Sequence, residues 1–219
     1  MIIKLMSQCL MWLTKKLIIS ENGKEFYKSF KKTTNSYLSE IIPLVPSIGN
    51  SLFKSSYFMG VMFIAWYKAF LKLGLTSDEA NKWIWRASEN ALKKIPSPFI
   101  NFVKKRYLSS MLKNAESHAK KSHEGTLPEY DWKVSNVHIH GNVIQLNTYE
   151  CGIQKLCKRF ETEKLLPSLC RMDYLTAHYL QYGFNRDKTL GDGDDVCNHC
   201  FYYDGNCEWS PEKGFEHRK

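Results

Sequence analysis

Six of the seven cysteines lie after residue 125: Cys151, Cys157, Cys170, Cys197, Cys200 and Cys207. His138, His140, His178 and Asp173 share that stretch. A thiol beside a base can serve as a nucleophile, because the thiolate is the attacking species. Free cysteine is also among the most buried residue types, so packing is the competing role for each thiol. Cys197-Asn-His-Cys200 has the spacing of half a zinc site. A structural zinc needs a second pair, which His138 and His140 would have to supply. Alternation along a strand also puts Cys197 and Cys200 on opposite faces. No metal and no other cofactor is therefore expected. Gly191-Asp-Gly-Asp-Asp195 carries no lysine and too much negative charge for a phosphate loop, and it lacks EF-hand spacing. It reads as a turn between strands. The sequence has no G-x-S-x-G, H-E-x-x-H or G-x-G-x-x-G, so serine hydrolases of the elbow type, zincins and Rossmann enzymes are disfavoured.

The elements that position these groups follow from periodicity and punctuation. Trp132–His140 and Val143–Glu150 read as strands around Gly141-Asn142, a pair suited to a two-residue hairpin turn. His140 then faces Val143, and His138 faces Gln145. Val137, Ile139, Ile144 and Leu146 share the face that must be buried. His138, His140, Gln145, Asn147, Tyr149 and Cys151 share the other, which is either a solvated surface or the floor of a binding site. Helices are expected at Gly152–Glu163 and at Pro167–Tyr182, the latter closed by Gly183. Cys170 and Asp173, three apart, share a face of the second helix. Phe184–Leu190 and Val196–Tyr203 are expected strands. Residues 205–219 form a tail in which Trp209 and Phe215 could dock.

The preceding residues are helical in pattern. Met1–Ser20 is amphipathic and interrupted by Ser7 and Gln8, with no cleavage site of a signal peptide after it. Glu25–Ile42 ends before Pro43, and 43–47 is a Pro-punctuated linker. Lys54–Leu73 is apolar and closed by Gly74. Thr76-Ser-Asp-Glu79 is a capping box for a helix over Asp78–Lys94. Ser97 and Pro98 suit the N-cap and first position of a helix reaching about Lys121.

With 219 residues, the chain suits one α+β domain, 1–219. Its expected form is an N-terminal helical layer (1–125) packed on a small antiparallel sheet with two further helices (126–204). The best candidate for a membrane span, Tyr57–Tyr67, has eleven uncharged residues, far short of the roughly 18 apolar residues required. Net charge is +9. Residues 1–125 hold 20 Lys/Arg against 8 Asp/Glu, whereas 126–219 hold 11 against 14. The basic residues come as pairs spread along helices without a nucleic-acid-binding motif, so a solvated helix surface explains them. Expected partners are a small-molecule substrate and neither nucleic acid nor membrane, with a homo-oligomer allowed. With no export signal read, a cytoplasmic location and reduced thiols are expected.

Tyr149-Glu-Cys151, Leu169-Cys170-Arg-Met-Asp173, Arg186-Asp-Lys-Thr189-Leu190, Gly193 and Cys197-Asn198 follow one another in a recognisable order. Together with Gly74-Leu-Thr-Ser-Asp-Glu-Ala80, they resemble the L-2-amino-thiazoline-4-carboxylic acid hydrolase family over roughly residues 55–204. The family's C-D-F is Cys197-Asn-His here. If that Asp has a chemical role, it is lost; if it anchors a turn, Asn198 can replace it. The element order also resembles the 4-vinyl-reductase ligand-binding domains. The family resemblance implies a cysteine-dependent hydrolase acting on a C–N bond of a small cyclic amidine-like substrate. The example is ring-opening of 2-amino-thiazoline-4-carboxylate to N-carbamoyl-cysteine. It implies Cys151, Cys170 and Asp173 as catalytic residues, with Cys151 or Cys170 attacking directly, or Asp173 or a His activating water. Arg186 would hold the substrate carboxylate, beside His138, His140, Thr189, Cys197 and Asn198 as substrate-binding residues. The alternative is a non-catalytic small-molecule- or metal-binding module of the 4-vinyl-reductase type.

Overall fold

A computed structural model describes residues 2–205 and 207. These described residues form six α-helices and a four-stranded antiparallel sheet. Helix α1 (Ile2–Ile41) is two arms rather than one rod, because Gly23 sits at φ 85° and breaks the helical path. The arms fold back on each other: Lys4 Nζ donates to Ser39 Oγ at 3.0 Å and the Tyr27 hydroxyl to the Met11 carbonyl at 3.3 Å. The two helices expected from the sequence are these arms. Between them and the rest lies α2 (Lys54–Lys72), buried along most of its length. Its Trp66 indole N–H donates to Ser7 Oγ at 2.8 Å. The capping box at Thr76 and Glu79 opens α3 (Ser77–Leu92), as expected. Helix α4 (Ser97–His123) starts one residue earlier than expected, with Pro96 at the N-cap and no side-chain cap.

The hairpin of β1 (Lys133–His140) and β2 (Val143–Glu150) has the expected register, with His138 opposite Gln145 and His140 opposite Val143. Gly141 turns it at φ 57°, where a Cβ would be strained. One feature of β1 was not legible. An extra residue between Ser135 and His138 forms a bulge, with Asn136 at φ 50°. The bulge shifts the alternation by one, so Val134, not Ser135, joins Ile144 and Leu146 in the core. Val137 and Ile139 are only half-buried on this edge strand.

After the hairpin come α5 (Gly152–Arg159) and α6 (Leu166–Leu180). Both are shorter than expected. Gln181, in the left-handed region at φ 58°, closes α6. Gly183 is not a helix cap: it begins β3 (Gly183–Asn185), where a Cβ would lie 2.9 Å from Tyr202 Cβ. Strand β3 ends at Asn185 because Arg186 turns inward, and Leu190–Asp192 is a 3-10 turn instead of strand. Strand β4 (Cys197–Tyr202) inserts between β2 and β3, giving the order β1-β2-β4-β3. One continuous core runs from Ile3 in α1 to Phe201 in β4. The expected docking of Trp209 and Phe215 lies outside the described residues. No described helix is long and apolar enough to cross a membrane.

Candidate active site

The sheet is covered by helices on one face only, and that choice places the site. Thr148 pairs across the ladder with Cys197, Leu146 with His199, and Ile144 with Phe201. These six side chains face the helices. Gln145, Asn147, Asn198 and Cys200 face the other way, beside His138. Between sheet and helices lies a cavity of about 90 Å³. Its sheet wall is Leu146, Thr148, Cys197, His199 and Phe201. Leu169, Cys170 and Asp173 of α6 face that wall, and Cys151 closes one end. Phe53, just before α2, stacks on Trp132 at 5.0 Å, and both rings border the cavity.

Of the residues implied by the sequence, Cys151, Cys170, Asp173, Arg186 and Cys197 line this one cavity. Thr189 stands behind it, with its hydroxyl 3.5 Å from Cys197 Sγ. His138 and His140 do not line it; both are exposed on the outer face of the hairpin. That polar face lies outside the cavity, and His138 there borders a second, open groove with Asn147, Asn198 and Cys200. The alternation had grouped Cys151 with them, but the chain turns after Glu150 and carries Cys151 inward as N-cap of α5. Asn198 also lies outside the cavity. Its Oδ1 accepts from the amides of Asp187 and Lys188 at 3.0 and 2.7 Å, so it anchors the turn after β3.

Arg186 organises the helix wall. Nη1 donates to Asp173 Oδ2 at 2.8 Å and Nη2 to the Cys170 carbonyl at 2.8 Å. Its guanidinium also lies over the rings of Tyr174 and Phe184. The side chain is only 2% exposed, so its charge serves Asp173 and the α6 backbone. Burial raises the Asp173 carboxyl above its usual range, and Arg186 opposes that shift. No partner is found for Asp173 Oδ1 among the described residues, and the side chain keeps 35% of its exposure.

Burial favours the protonated form of the Cys151 and Cys170 thiols. Burial pushes Cys170 up to about 11, with Arg186 and Thr189 pulling the other way. Burial raises Cys151 further, and the neighbouring thiol of Cys170 adds to it. The amides of Gln154 and Ile153 at the start of α5 oppose this. Cys170 Sγ is also held close: a Cβ on Gly191 would fall 2.5 Å from it. Cys197 Sγ accepts from the Leu190 amide at 3.2 Å.

Two polar groups of the sheet wall escaped the sequence reading. His199 stands two residues from Cys197, and that spacing was the available signal for a shared strand face. Its Nε2 lies 3.9 Å from Asp173 Oδ2. Burial lowers its pKa to about 3, helped by the positive charge of Arg186, so the ring is neutral. Its Nδ1 makes no well-formed hydrogen bond among the described residues, although the Cys197 backbone near the ring opposes the lowering of its pKa. Thr148 is 1% exposed, and its Oγ1 has no hydrogen-bond partner among the described residues. Unpaired buried polar groups are rare, and two of them lining one cavity leave hydrogen bonds open for a ligand. Among the described residues, no three His, Cys, Asp or Glu side chains are arranged to hold a metal ion.

Fold and site define an α+β protein with a thiol-lined cavity under a one-sided sheet. A family model described as L-2-amino-thiazoline-4-carboxylic acid hydrolase matches residues 55–201, a segment that spans α2 through β4 and contains every cavity residue named above except Phe53. The chain belongs to this family, which supports a hydrolase-type function. No curated protein and no solved structure matches the chain, so the likeness to 4-vinyl-reductase domains rests on element order alone.

Proposed function

We propose that this protein opens a small cyclic amidine of the 2-amino-thiazoline-4-carboxylate type, with Cys170 as nucleophile and Asp173 as amidine anchor. The observation that carries the reading is the shared α6 face. It sets a thiol and a carboxylate three residues apart in one cavity, and Arg186 ties that carboxylate by one oxygen only. A carboxylate with an open oxygen is the natural acceptor for the N–H groups of an amidinium. Cys170 needs no resting thiolate. A neutral amidine is basic enough to take the thiol proton, which leaves a thiolate beside an amidinium that Asp173 then stabilises.

The atoms balance as follows. Cys170 Sγ bonds to C2, the ring C2–S1 bond breaks, and S1 leaves as a thiol with a proton from nitrogen. Both nitrogens stay on C2, which is now an isothiourea on Sγ. Water adds to that carbon and Sγ departs with a proton, giving an N-carbamoyl thiol amino acid. The bond broken in the ring is thus C–S. The C–N bond inferred from the sequence does not lead to an N-carbamoyl product, because cutting it would move the carbamoyl group to sulfur or release ammonia. Neutral His199 offers the adding water a hydrogen bond without bringing a second charge. With Arg186 engaged, the substrate carboxylate falls to the Thr148 hydroxyl and the His199 ring on the sheet wall.

The test is thiol release from 2-amino-thiazoline-4-carboxylate, followed with a chromogenic disulfide, and intact-mass trapping of an amidino adduct. Turnover with an adduct mapped to Cys170, both lost in Cys170→Ala, is expected. Unchanged turnover in Cys170→Ala would remove this thiol from the reaction, and an adduct mapped to Cys151 would transfer the role there.

A further inference from the structure

The first arm of α1 carries a surface that the cavity does not use. Ile3, Ser7, Met11, Thr14 and Ile18 form its buried stripe. On the opposite side Ile2, Leu5 and Trp12 are 54%, 64% and 71% exposed. Residues 2–20 hold Lys4, Lys15 and Lys16 and no acidic residue. A second stretch of the same character follows α3, whose C-terminal end contacts this arm. The Leu13 carbonyl accepts from Asn90 at 3.0 Å and from Lys94, so the end of α3 sits against the arm beside Trp12. Five residues past Lys94 the chain exposes Phe99, and then Phe102, at 58% and 65%. Residues 93–106 contain five Lys/Arg and again no acidic residue. Among the described residues, five of the nine large exposed hydrophobic side chains thus fall in two acid-free basic segments. Residues 2–20 also precede the family-matched segment, which begins at 55.

From this we infer that the first arm of α1, with the start of α4, docks on the surface of an anionic lipid bilayer. A helix that buries one apolar stripe in its own protein and shows another, rimmed by lysine and tipped by tryptophan, has the chemistry of an interfacial helix. Lysines near an anionic leaflet add electrostatic attraction that salt screens. A second copy of this chain is a poor occupant, because an isologous contact would press two acid-free basic surfaces together. Nucleic acid would match the charge and could stack on Trp12, but it offers nothing to Ile2 and Leu5. Docking at the surface differs from spanning, which no described helix can do. It departs from the expectation that the chain has no membrane partner, and it stands apart from the reading of the cavity.

The experiment is co-sedimentation of the full chain with phosphatidylcholine vesicles, with and without phosphatidylserine, at low and high salt. The protein is expected to sediment with the serine-lipid vesicles at low salt and to stay in solution with pure phosphatidylcholine. Leu5→Ser with Trp12→Ser should weaken binding about tenfold or more while leaving charge and melting temperature unchanged. Lys15→Glu with Lys16→Glu should abolish the salt dependence. Absence of sedimentation with the anionic vesicles overturns the inference, as does sedimentation of the double Ser variant equal to wild type. Binding to single-stranded oligonucleotide, or dimerisation, that these substitutions abolish while vesicles are ignored would overturn it in favour of those partners.

Discussion

Thr148→Val exchanges a hydroxyl for a methyl and keeps the β-branched shape that a strand favours. In most buried positions such a change is harmful, because threonine hydroxyls there are paired. At Thr148 the side chain is 1% exposed and the hydroxyl has no partner among the described residues, so its desolvation goes without a compensating bond there. An unsatisfied buried hydroxyl costs about 1–3 kcal/mol. Removing it should stabilise the protein by about 1 kcal/mol or more, and for a chain of this size each kcal/mol moves Tm by about 2–4 °C. If the hydroxyl meets the substrate carboxylate, the same change removes one hydrogen bond to a charged group, worth about 1.5–3 kcal/mol, which raises KM roughly 10–150-fold. A substrate analogue without the carboxylate should show no such loss. Thermal melts of the ligand-free protein and steady-state kinetics on one preparation read both effects. A fall in Tm would mean that the hydroxyl is satisfied in the folded chain. A rise in Tm with unchanged KM would mean that the unpaired hydroxyl is a packing defect and not a substrate contact.

Asp173→Asn should lower kcat/KM at least about 100-fold, since an amide cannot balance an amidinium; thermal melts alongside separate this from loss of fold. Gly191→Ala should cost about 1–3 kcal/mol and reduce turnover by displacing Cys170 Sγ, because the new Cβ would lie 2.5 Å from that sulfur. His199, with its pKa lowered to about 3 in the fold from 6.5, binds its proton more readily when unfolded. Stability from the neutral ring is therefore complete above pH 6.5 and is lost as pH falls toward 3, so His199→Gln should flatten the acid limb of a pH–stability curve. Cys170, raised to about 11 from 9.0, acts on the alkaline side: the unfolded chain releases this proton first, so stability falls as pH rises from 9 to 11. Cys170→Ala should remove that part of the alkaline slope in urea titrations.

The features legible in the sequence were those set by local rules. Gly141-Asn142 and the alternation on either side fix the hairpin register, because a tight turn leaves few ways to pair the strands. Thr76 and Glu79 mark the start of α3 through two reciprocal hydrogen bonds within four residues. The spacing of Cys170 and Asp173 guarantees a common helix face wherever α6 packs. What only the tertiary structure decided was which face of the sheet the helices cover. Alternation divides a strand into two sets of side chains, yet it cannot say that a wall with Thr148, Cys197 and His199 is closed over while one with His138 and Gln145 stays in water. That depends on Leu146, Ile144 and Phe201 being apolar enough to bury their polar neighbours with them. The bulge at Asn136 exchanged Ser135 for Val134 in the core, a one-residue slip that strand periodicity does not reveal. Arg186 looked free to hold a substrate anion; only the approach of α6 to the end of β3 binds it to Asp173 and the Cys170 carbonyl. A buried guanidinium must be neutralised by groups already in the fold, and those partners come from segments that sequence spacing does not relate.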